Sequence, residues 1–348
     1  MPETSNIDPT LPLIDLHRHL EGCVRIDTIL DLARQHNLPL PAQDAAGLAP
    51  YVRVTEPQPG VMAFIEKFHW ITQAMLNLDA CRRMALENVL DAHADGIDYM
   101  ELRFSPWFMA EAHRLNPAGV VEAVIDGVDS GMQKTGMRVK LIGILSRTYG
   151  VDAAQKELEA LLTRRERIAA LDLAGDEANY PAELFAEHFR QAHEAGWAVT
   201  VHAGESAGPE SIWSALRRLG AQRIGHAVRA LEDPALLDTL AEQHIGIEAN
   251  LTSNYQTSSV SDYPAHPLRA FLERGLLATI NSDDPAISGI TLRHEYETAA
   301  PAAGLSREQI RQAQRNALVT AFLNDDERKE LLSKKQGWIS TTKNTKNT

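Results

Sequence analysis

The feature that most constrains the fold is a regular alternation of short apolar runs with longer segments of helical periodicity. The apolar runs predict eight strands, at 11–20, 97–106, 139–148, 168–177, 198–205, 223–228, 245–254 and 276–285. The segments between them predict helices at about 79–95, 117–135, 152–166, 181–195, 208–219, 233–244 and 266–274. Strands that alternate with helices form parallel βαβ units, and eight such units close most naturally into a (β/α)8 TIM barrel.

Two further segments extend this barrel. A long insertion follows the first strand and contains helical segments near 26–36 and 61–77. Because it leaves from the carboxyl end of a strand, we expect it to lie over the catalytic face as a lid. After the eighth strand, 306–335 is predicted to be helical, and the polar segment at about 336–348 to be disordered. No repeat or low-complexity linker divides the chain, so we predict one domain over 1–348 with its core at about 11–330.

Composition and charge exclude several classes of protein. The 348-residue chain has a net charge of −13, which is unsuited to nucleic acid or anionic membranes because phosphate binding relies on Lys and Arg. The only cysteines are Cys23 and Cys81, which excludes a disulfide framework and fits a reduced compartment. Neither a signal peptide nor an apolar run of about 18 residues is visible, so we expect a cytoplasmic protein.

Acids and imidazoles concentrate where the predicted strands end, which is where barrel enzymes hold their chemistry. The first strand ends in "LIDLHRHLEG", in which His17 and His19 are two residues apart and therefore face the same side. The later strand ends add Gly175, Asp176, His202, Glu205, His226, Asp283 and Asp284. Chance would scatter such residues over both ends of the barrel, so this concentration predicts a functional site.

The residue types predict a catalytic divalent metal. Imidazole and carboxylate suit zinc and neighbouring first-row ions, and a catalytic site keeps one coordination position open for water. His17, His19, His202 and one of the two acids after the eighth strand would supply three nitrogens and one oxygen. Metal-assisted hydrolysis also needs a base for the water and an acid for the leaving side. Glu205, His226 and the remaining acid are the candidates.

The motifs "LHRHLEG", "VHAGE", "RIGHAV" and "SDDP", in this order, resemble the adenosine deaminase family of the amidohydrolase superfamily, particularly its bacterial branch. The stretches "ELRFSP", "LDLAGDE", "HAGESAGPESIW" and "LTSN" extend the resemblance over about 11–330. It implies a purine-salvage enzyme that hydrolyses adenosine and 2′-deoxyadenosine to inosine and deoxyinosine plus ammonia. The implied cofactor is one Zn²⁺ per chain. The implied partner is a small purine nucleoside, with the protein a monomer or small homo-oligomer.

The resemblance also implies a role for each residue of the site. The implied zinc ligands are His17, His19, His202 and Asp283. The implied substrate contacts come from His19, from Glu21 to a ribose hydroxyl, from the backbone of Gly175 to N3 and from Asp284 to N7. Glu205 would protonate purine N1, and His226 would orient and deprotonate the attacking water. A proton shared between Asp284 and N7 would require a raised carboxyl pKa.

Three positions depart from the family pattern. Ser282 replaces the usual Thr, which is conservative, and Ala227 replaces Gly after the catalytic His, which is tolerable if φ there is negative. Glu21 replaces the usual Asp, and "HLEG" resembles the related adenine deaminases, which take the free base. Adenine or another 6-aminopurine derivative is therefore the alternative substrate.

Other function classes fit less well. Hydrolases with two metals usually carry a bridging lysine, and no Lys stands at a predicted strand end. A nucleotide deaminase would need a phosphate clamp, for which Arg103 and Arg147 are candidates, although structural ion pairs are the favoured interpretation. A scaffold protein with a degenerate site would have lost a ligand or an acid, whereas every role is filled here.

Overall fold

The computed structural model describes residues 5–344 and contains a parallel barrel whose strands are paired in sequence order. The strands are β1 (Ile14–His19), β2 (Tyr99–Phe104), β3 (Arg138–Ser146), β4 (Ile168–Ala174), β5 (Ala198–Ala203), β6 (Arg223–His226), β7 (Gly246–Ala249) and β8 (Leu277–Ile280). The predicted fold class and all eight predicted strands are confirmed. All eight strands are shorter than predicted, because the predicted ranges include polar residues of the loops that follow; the range 245–254 even includes the start of a helix at Leu251.

Helices surround this barrel, with an apolar core between the two layers. The insertion after β1 holds α1 (Ile26–His36), α2 (Ala45–Val52), α3 (Val61–Ile65) and α4 (His69–Ala74). The barrel helices are α5 (Leu78–Ala94), α6 (Pro106–Glu111), α7 (Pro117–Thr135), α8 (Gly150–Leu162), α9 (Ala186–Glu194), α10 (Pro209–Leu219), α11 (Pro234–Glu242), α12 (Leu251–Gln256) and α13 (Leu268–Glu273). After β8 come α14 (Pro285–Ser288), α15 (Leu292–His294), α16 (Ala300–Ala302), α17 (Arg307–Thr320) and α18 (Asp325–Asn344).

The sequence explains where several helices begin. At α7, the Asn116 side chain accepts a hydrogen bond from the Ala118 N–H at 3.0 Å, and Pro117 occupies the first turn, where no N–H is needed. At α17, Ser306 and Gln309 form a reciprocal capping box. These ends agree with the predicted helices at 117–135 and 306–335, except that the second prediction covers two helices rather than one.

The barrel closes where β1 meets the residues that follow β8. The Asp283 N–H donates to the His17 carbonyl at 2.8 Å, and the His19 N–H donates to the Asp283 carbonyl at 2.9 Å. The pairing of β1 with β2 shifts register between Asp15 and Arg18, an irregularity of the kind that re-aims side chains near active sites. The closure therefore brings His17, His19 and Asp283 side by side.

The last helix extends further along the chain than the sequence predicts. Helix α18 extends to Asn344 and so enters the segment that was predicted to be disordered, while residues 345–348 lie outside the described residues. Within residues 5–344, none of the helices combines the length and apolar character needed to cross a membrane.

Candidate active site

Four side chains converge at the carboxyl end of the barrel. His17 Nε2 lies 3.1 Å from His202 Nε2 and 3.2 Å from Asp283 Oδ1. His19 Nε2 lies 3.3 Å from His17 Nε2, 3.2 Å from His202 Nε2 and 3.3 Å from Asp283 Oδ1. A tetrahedral zinc with bonds of about 2.0–2.1 Å would hold its ligand atoms roughly 3.3 Å apart. The observed spacing therefore fits one such ion.

His226 stands at the edge of this cluster. One ligand atom each from His17, His202, His226 and Asp283 can be chosen so that all lie within 4.8 Å of one another. However, His226 Nε2 is 3.8 Å from Asp283 Oδ2, which is longer than the separations of 3.1–3.3 Å among the other three imidazoles. This geometry favours His226 as a neighbour of the ion rather than one of its ligands.

Buried carboxylates behind the cluster orient two of its imidazoles. His17 Nδ1 lies 2.7 Å from Glu248 Oε2, and His202 Nδ1 lies 3.0 Å from Asp172 Oδ2. Arg103 holds both acids, with a guanidinium nitrogen 2.7 Å from each. A carboxylate that accepts the Nδ1–H leaves the Nε2 lone pair facing the cluster, as metal-binding histidines require. The ion-pair interpretation of Arg103 is confirmed. Both terminal nitrogens of its guanidinium group are already bonded within the protein, so Arg103 is not available to bind a phosphate.

These rear carboxylates are held in their ionised form. Although burial alone would raise the pKa of Glu248, Arg103 and Arg223 hold it well below its ordinary value. Burial likewise opposes ionisation of Asp172, yet His202 and Arg103 lower the pKa of that carboxyl group. The layer beneath the cluster therefore consists of charges that compensate one another.

The carboxyl groups on the pocket side behave in the opposite way. Burial, together with the charges of Asp283 and Glu177, raises the pKa of Glu205 well above its ordinary value. Burial, Asp283 and Glu21 do the same to the pKa of Asp284, as a proton shared with N7 would require, and burial raises the pKa of Glu21 to about 7. These groups can hold protons near neutral pH and donate them to a ligand.

Glu177 positions the loop that carries Glu205 and was not predicted as part of the site. One of its carboxylate oxygens accepts the N–H of Gly204 at 2.6 Å. The other accepts the N–H groups of Glu205, Ser206 and Ala207 at 3.1, 2.8 and 3.0 Å. The residue stands at the end of "LDLAGDE", a stretch that carries the family resemblance, but nothing in the sequence indicates that it spans two loops.

A cavity opens beside the cluster and is bounded by both polar and apolar side chains. Its polar wall includes His19, Glu21, Gly175, His202, Glu205, His226, Asp283 and Asp284. Its apolar wall includes four residues of the insertion after β1: Val61, Phe64, Ile65 and Phe68. The predicted position of that insertion over the catalytic face is confirmed. The predicted site residues line this one cavity except for His17, which lies behind the wall, and Asp176, whose carboxylate accepts a hydrogen bond from the Asn179 side chain instead.

Two glycines make room for groups of this cavity. A Cβ on Gly22 would lie 1.7 Å from Asp284 Oδ1, so the glycine of "HLEG" allows that carboxyl group to approach the backbone. Gly175 has a φ of +107°, and a Cβ there would lie 2.4 Å from Thr148 Oγ1. A side chain at Gly22 would therefore displace Asp284 itself.

Two carboxyl oxygens in the cavity wall lack a partner. Glu21 Oε1 accepts the Ser105 N–H at 2.8 Å, while Glu21 Oε2 is buried without a hydrogen bond. Asp284 Oδ1 is likewise buried and unpaired among the described residues. Buried polar atoms are normally satisfied, so both oxygens are exceptions in this wall, and Asp284 Oδ1 is the oxygen that packs against Gly22.

Two positions that depart from the family pattern, Ala227 and Ser282, differ in how the structure accommodates the replacement. Ala227 has a φ of +53°, so the condition under which the replacement of Gly is tolerated without strain is not met. Its left-handed backbone adds strain of about 1–3 kcal/mol that the surroundings must hold. His226 and Asp283 share this conformation, with φ of +65° and +59°. Ser282 donates its hydroxyl to Asp15 at 2.5 Å, which agrees with a conservative replacement of Thr.

Arg147, the second predicted clamp candidate, is also structural. Its guanidinium donates to the carbonyls of Leu173 at 3.1 Å and His202 at 2.7 Å. It therefore supports the backbone that carries a cluster histidine, and its partners are carbonyl groups rather than the expected carboxylates.

Comparisons with known proteins agree with this geometry. A family model described as "Adenosine deaminase" matches residues 12–338. Adenosine deaminase of Salmonella schwarzengrund (strain CVM19633) is 59% identical over 328 residues, covering 94% of this chain and 98% of that protein. Adenosine deaminase of Escherichia coli O157:H7 is 58% identical over the same 328 residues, with the same coverage.

Solved structures show the same barrel at lower identity. Adenine deaminase from Arthrobacter aurescens superposes with a TM-score of 0.86 at 24% identity, covering 95% of this chain and 99% of that one. The Arabidopsis N6-mAMP deaminase gives a TM-score of 0.81 at 24% identity, covering 94% and 98%. At such identities the likeness shows the fold alone.

Proposed function

The chain belongs to the adenosine deaminase family, and from that premise we propose that it hydrolyses the 6-amino group of adenosine and 2′-deoxyadenosine, releasing inosine or deoxyinosine and ammonia. One observation carries the proposal. A cluster able to hold a metal and a buried carboxyl group with a raised pKa, Glu205, line the same cavity. Hydrolytic deamination needs both an activated water and a proton donor for the purine ring.

We further propose that His17, His19, His202 and Asp283 hold one zinc ion. Support comes from their mutual distances and from the carboxylates that leave Nε2 of His17 and His202 free to coordinate. When bound, zinc supplies a Lewis acid that lowers the pKa of a coordinated water towards about 7. The remaining tasks fall to the side chains of the chain itself.

Glu205 is the proposed proton donor. Attack at C6 places electron density on N1, and a protonated carboxyl group beside N1 stabilises the developing tetrahedral centre by donating its proton there. The Glu177 carboxylate holds the loop that carries Glu205 by accepting hydrogen bonds from the backbone N–H groups of that loop. The charge of Glu177 also raises the pKa of Glu205. His226 orients the attacking water from the metal side of the cavity.

In this proposal, three further groups form hydrogen bonds to the substrate. Asp284 holds a proton and shares it with N7, which is consistent with its raised pKa and its place in the cavity wall. The backbone of Gly175 meets N3, and Glu21 accepts a ribose hydroxyl through its unpaired Oε2. The apolar side chains of the insertion after β1 exclude water from the purine face.

Deamination of adenine or another 6-aminopurine derivative is the second candidate. The observation that favours it is Glu21 itself, whose carboxyl group reaches one methylene further than the usual Asp. If that extra length fills the space of the sugar, the free base fits better than the nucleoside.

The remaining expectations concern the protein as a whole. We propose one domain, a monomer or small homo-oligomer, and a cytoplasmic location, with no nucleic acid or membrane partner. The single domain follows from the undivided sequence, and the net charge of −13 disfavours nucleic acid and anionic membranes. The location follows from the two unpaired cysteines, and the oligomeric state from the family resemblance.

The test is to follow adenosine, 2′-deoxyadenosine and adenine side by side by ultraviolet absorbance, with elemental analysis of the same sample. We expect about one zinc per chain and a kcat/KM for both nucleosides well above that for adenine. Faster turnover of adenine would replace the proposal by the second candidate. Two ions per chain, or full activity after exhaustive chelation, would exclude the one-metal site.

A further inference from the structure

His226 lies at one end of a series of hydrogen bonds in which the donor and the acceptor of each bond can be identified. The series starts at the backbone N–H of Leu268, which donates to His266 Nδ1 at 3.1 Å. A backbone N–H can only donate, so His266 Nδ1 must accept. Burial lowers the pKa of His266 to about 3, so its imidazole is neutral and its single proton is on Nε2.

The second step fixes the orientation of an amide. His266 Nε2 lies 3.1 Å from Asn254 Oδ1, and since Nε2 carries the proton, it donates to that oxygen. The amide nitrogen of Asn254 therefore faces the other way, 2.8 Å from His226 Nδ1. The Asn250 amide nitrogen approaches the same Nδ1 at 3.4 Å.

The third step concerns the imidazole of His226. An amide NH₂ can only donate, so His226 Nδ1 must accept. A proton on Nδ1 would place two donors opposite each other at 2.8 Å, because the direction of the preceding hydrogen bonds fixes the Asn254 amide nitrogen towards His226. The neutral ring therefore carries its proton on Nε2, the nitrogen that lies 3.8 Å from Asp283 Oδ2 beside the metal cluster.

We propose that Asn254 and His266 are positioning residues that hold His226 in the tautomer with its proton on Nε2. The inference rests on the proposed function and deepens it, because it sets the direction of the hydrogen bond to the attacking water. His226 donates from Nε2 to the oxygen of that water and orients it. It does not accept the water's proton at Nε2. That proton is lost as the water ionises, and the Glu205 carboxylate left after protonation of N1 takes up an equivalent proton, so the deprotonating role implied by the family resemblance is not assigned to His226.

The surroundings of Nδ1 support this direction. The nearest carboxyl group recorded there is that of Glu205, whose Oε1 is 3.6 Å away and thus beyond hydrogen-bond distance. Glu205 Oε1 instead lies 3.4 Å from Thr257 Oγ1. Asn254 is therefore the partner that decides which nitrogen of His226 carries the proton.

The tautomer can be read directly by two-bond ¹H–¹⁵N NMR of the zinc-loaded protein labelled with ¹⁵N-histidine. The signals of His226 are assigned by their loss in His226→Gln. We expect the Nε2–H pattern in the wild type. An Nδ1–H pattern there would overturn the proposal.

Asn254→Asp is the decisive variant, because it replaces the amide donor by an acceptor oxygen of nearly the same size. We expect His226 to change to the Nδ1–H tautomer and kcat for adenosine to fall by about 10²-fold, with KM changing far less. Retention of the Nε2–H pattern in this variant would show that Asn254 does not set the tautomer.

Asn316→Asp is the matched control. Asn316 is also buried, and its amide donates to the carbonyls of Leu276 at 3.3 Å and Ala278 at 2.9 Å, in contact with β8. We expect this variant to lower thermal stability while leaving the His226 signals in the Nε2–H pattern. A change of tautomer here as well would mean that the effect is general destabilisation, and would overturn the proposal.

A second pair of variants tests the series if Asn254→Asp does not fold. His266→Gln can still donate to Asn254 and accept from Leu268, so we expect it to keep the Nε2–H pattern. His266→Leu removes the donor, and we expect a mixture of tautomers. Identical patterns in the two variants would overturn the proposal. A protein that keeps the tautomer but does not deaminate adenosine would refute the proposed function alone.

Discussion

Two layers of carboxyl groups lie on opposite sides of the histidine cluster, and they are almost equally buried. Beneath it, Asp172 and Glu248 are fully buried, and above it Glu205 and Asp284 are 9% and 6% exposed. The pKa of each lower group is depressed, whereas the pKa of each upper group is raised well above its ordinary value. Burial is thus not what separates them.

The difference lies in the cations. Arg103 places a guanidinium nitrogen 2.7 Å from both lower carboxylates. Among the described residues, neither upper carboxyl group forms an ion pair with an Arg or Lys, so burial prevails and raises the pKa of both. Desolvation disfavours charge in both layers, and a fixed neighbouring charge decides which form is held. The lower layer can therefore orient metal ligands, while the upper layer can store protons.

The largest expected effect comes from removing a proton of the upper layer. Glu205→Gln keeps the size of the side chain but cannot deliver a proton to N1, so we expect kcat for adenosine to fall by about 10³-fold or more. Metal content should stay at the wild-type value, as measured by elemental analysis. His202→Ala is the comparison, since it should lose metal and activity together, and equal metal loss in both variants would contradict the assigned roles.

A change in the lower layer should act on the metal instead. Asp172→Asn removes the charge that holds Nδ1 of His202, so we expect zinc affinity to fall by about 10–100-fold in a chelator competition. Asp129→Asn is the control, because Asp129 pairs with Arg167 at the surface and should leave affinity unchanged. Unaltered affinity in Asp172→Asn would show that the lower layer does not support the metal.

The smallest expected effect concerns substrate recognition at Glu21. If its unpaired oxygen accepts a ribose hydroxyl, Glu21→Ala should cost about 1–3 kcal/mol in kcat/KM for adenosine, the size of one hydrogen bond. Adenine should remain a poor substrate of both proteins in the same ultraviolet assay. A variant as active as the wild type would remove Glu21 from substrate binding.

The sequence predicts one layer of this arrangement far better than the other. Glu205 and Asp284 could be predicted because they stand at strand ends, where the barrel places its chemistry. Asp172 and Glu248 lie inside the apolar runs of β4 and β7, and their partner Arg103 lies in β2. A charge within a buried run does signal a need for a partner, but periodicity cannot identify a partner on a strand so distant in sequence.

Backbone conformation is the other property that could not be predicted. The left-handed φ of Ala227 follows from how the chain turns after β6, and a residue with a Cβ gives no sign of it. Glu177 was missed for a related reason, because its four backbone partners lie after β5. Both features depend on how loops from neighbouring strands meet.

The most direct test of the central claim, that similar burial yields two protonation states, is difference infrared spectroscopy at neutral pH. We predict that wild type minus Glu205→Gln shows the C=O band of a protonated carboxyl group. Because its pKa is raised, this band should disappear only as pH increases through that raised value. Wild type minus Asp172→Asn should show an ionised carboxylate band at the same pH. A carboxylate band in both difference spectra would contradict the account.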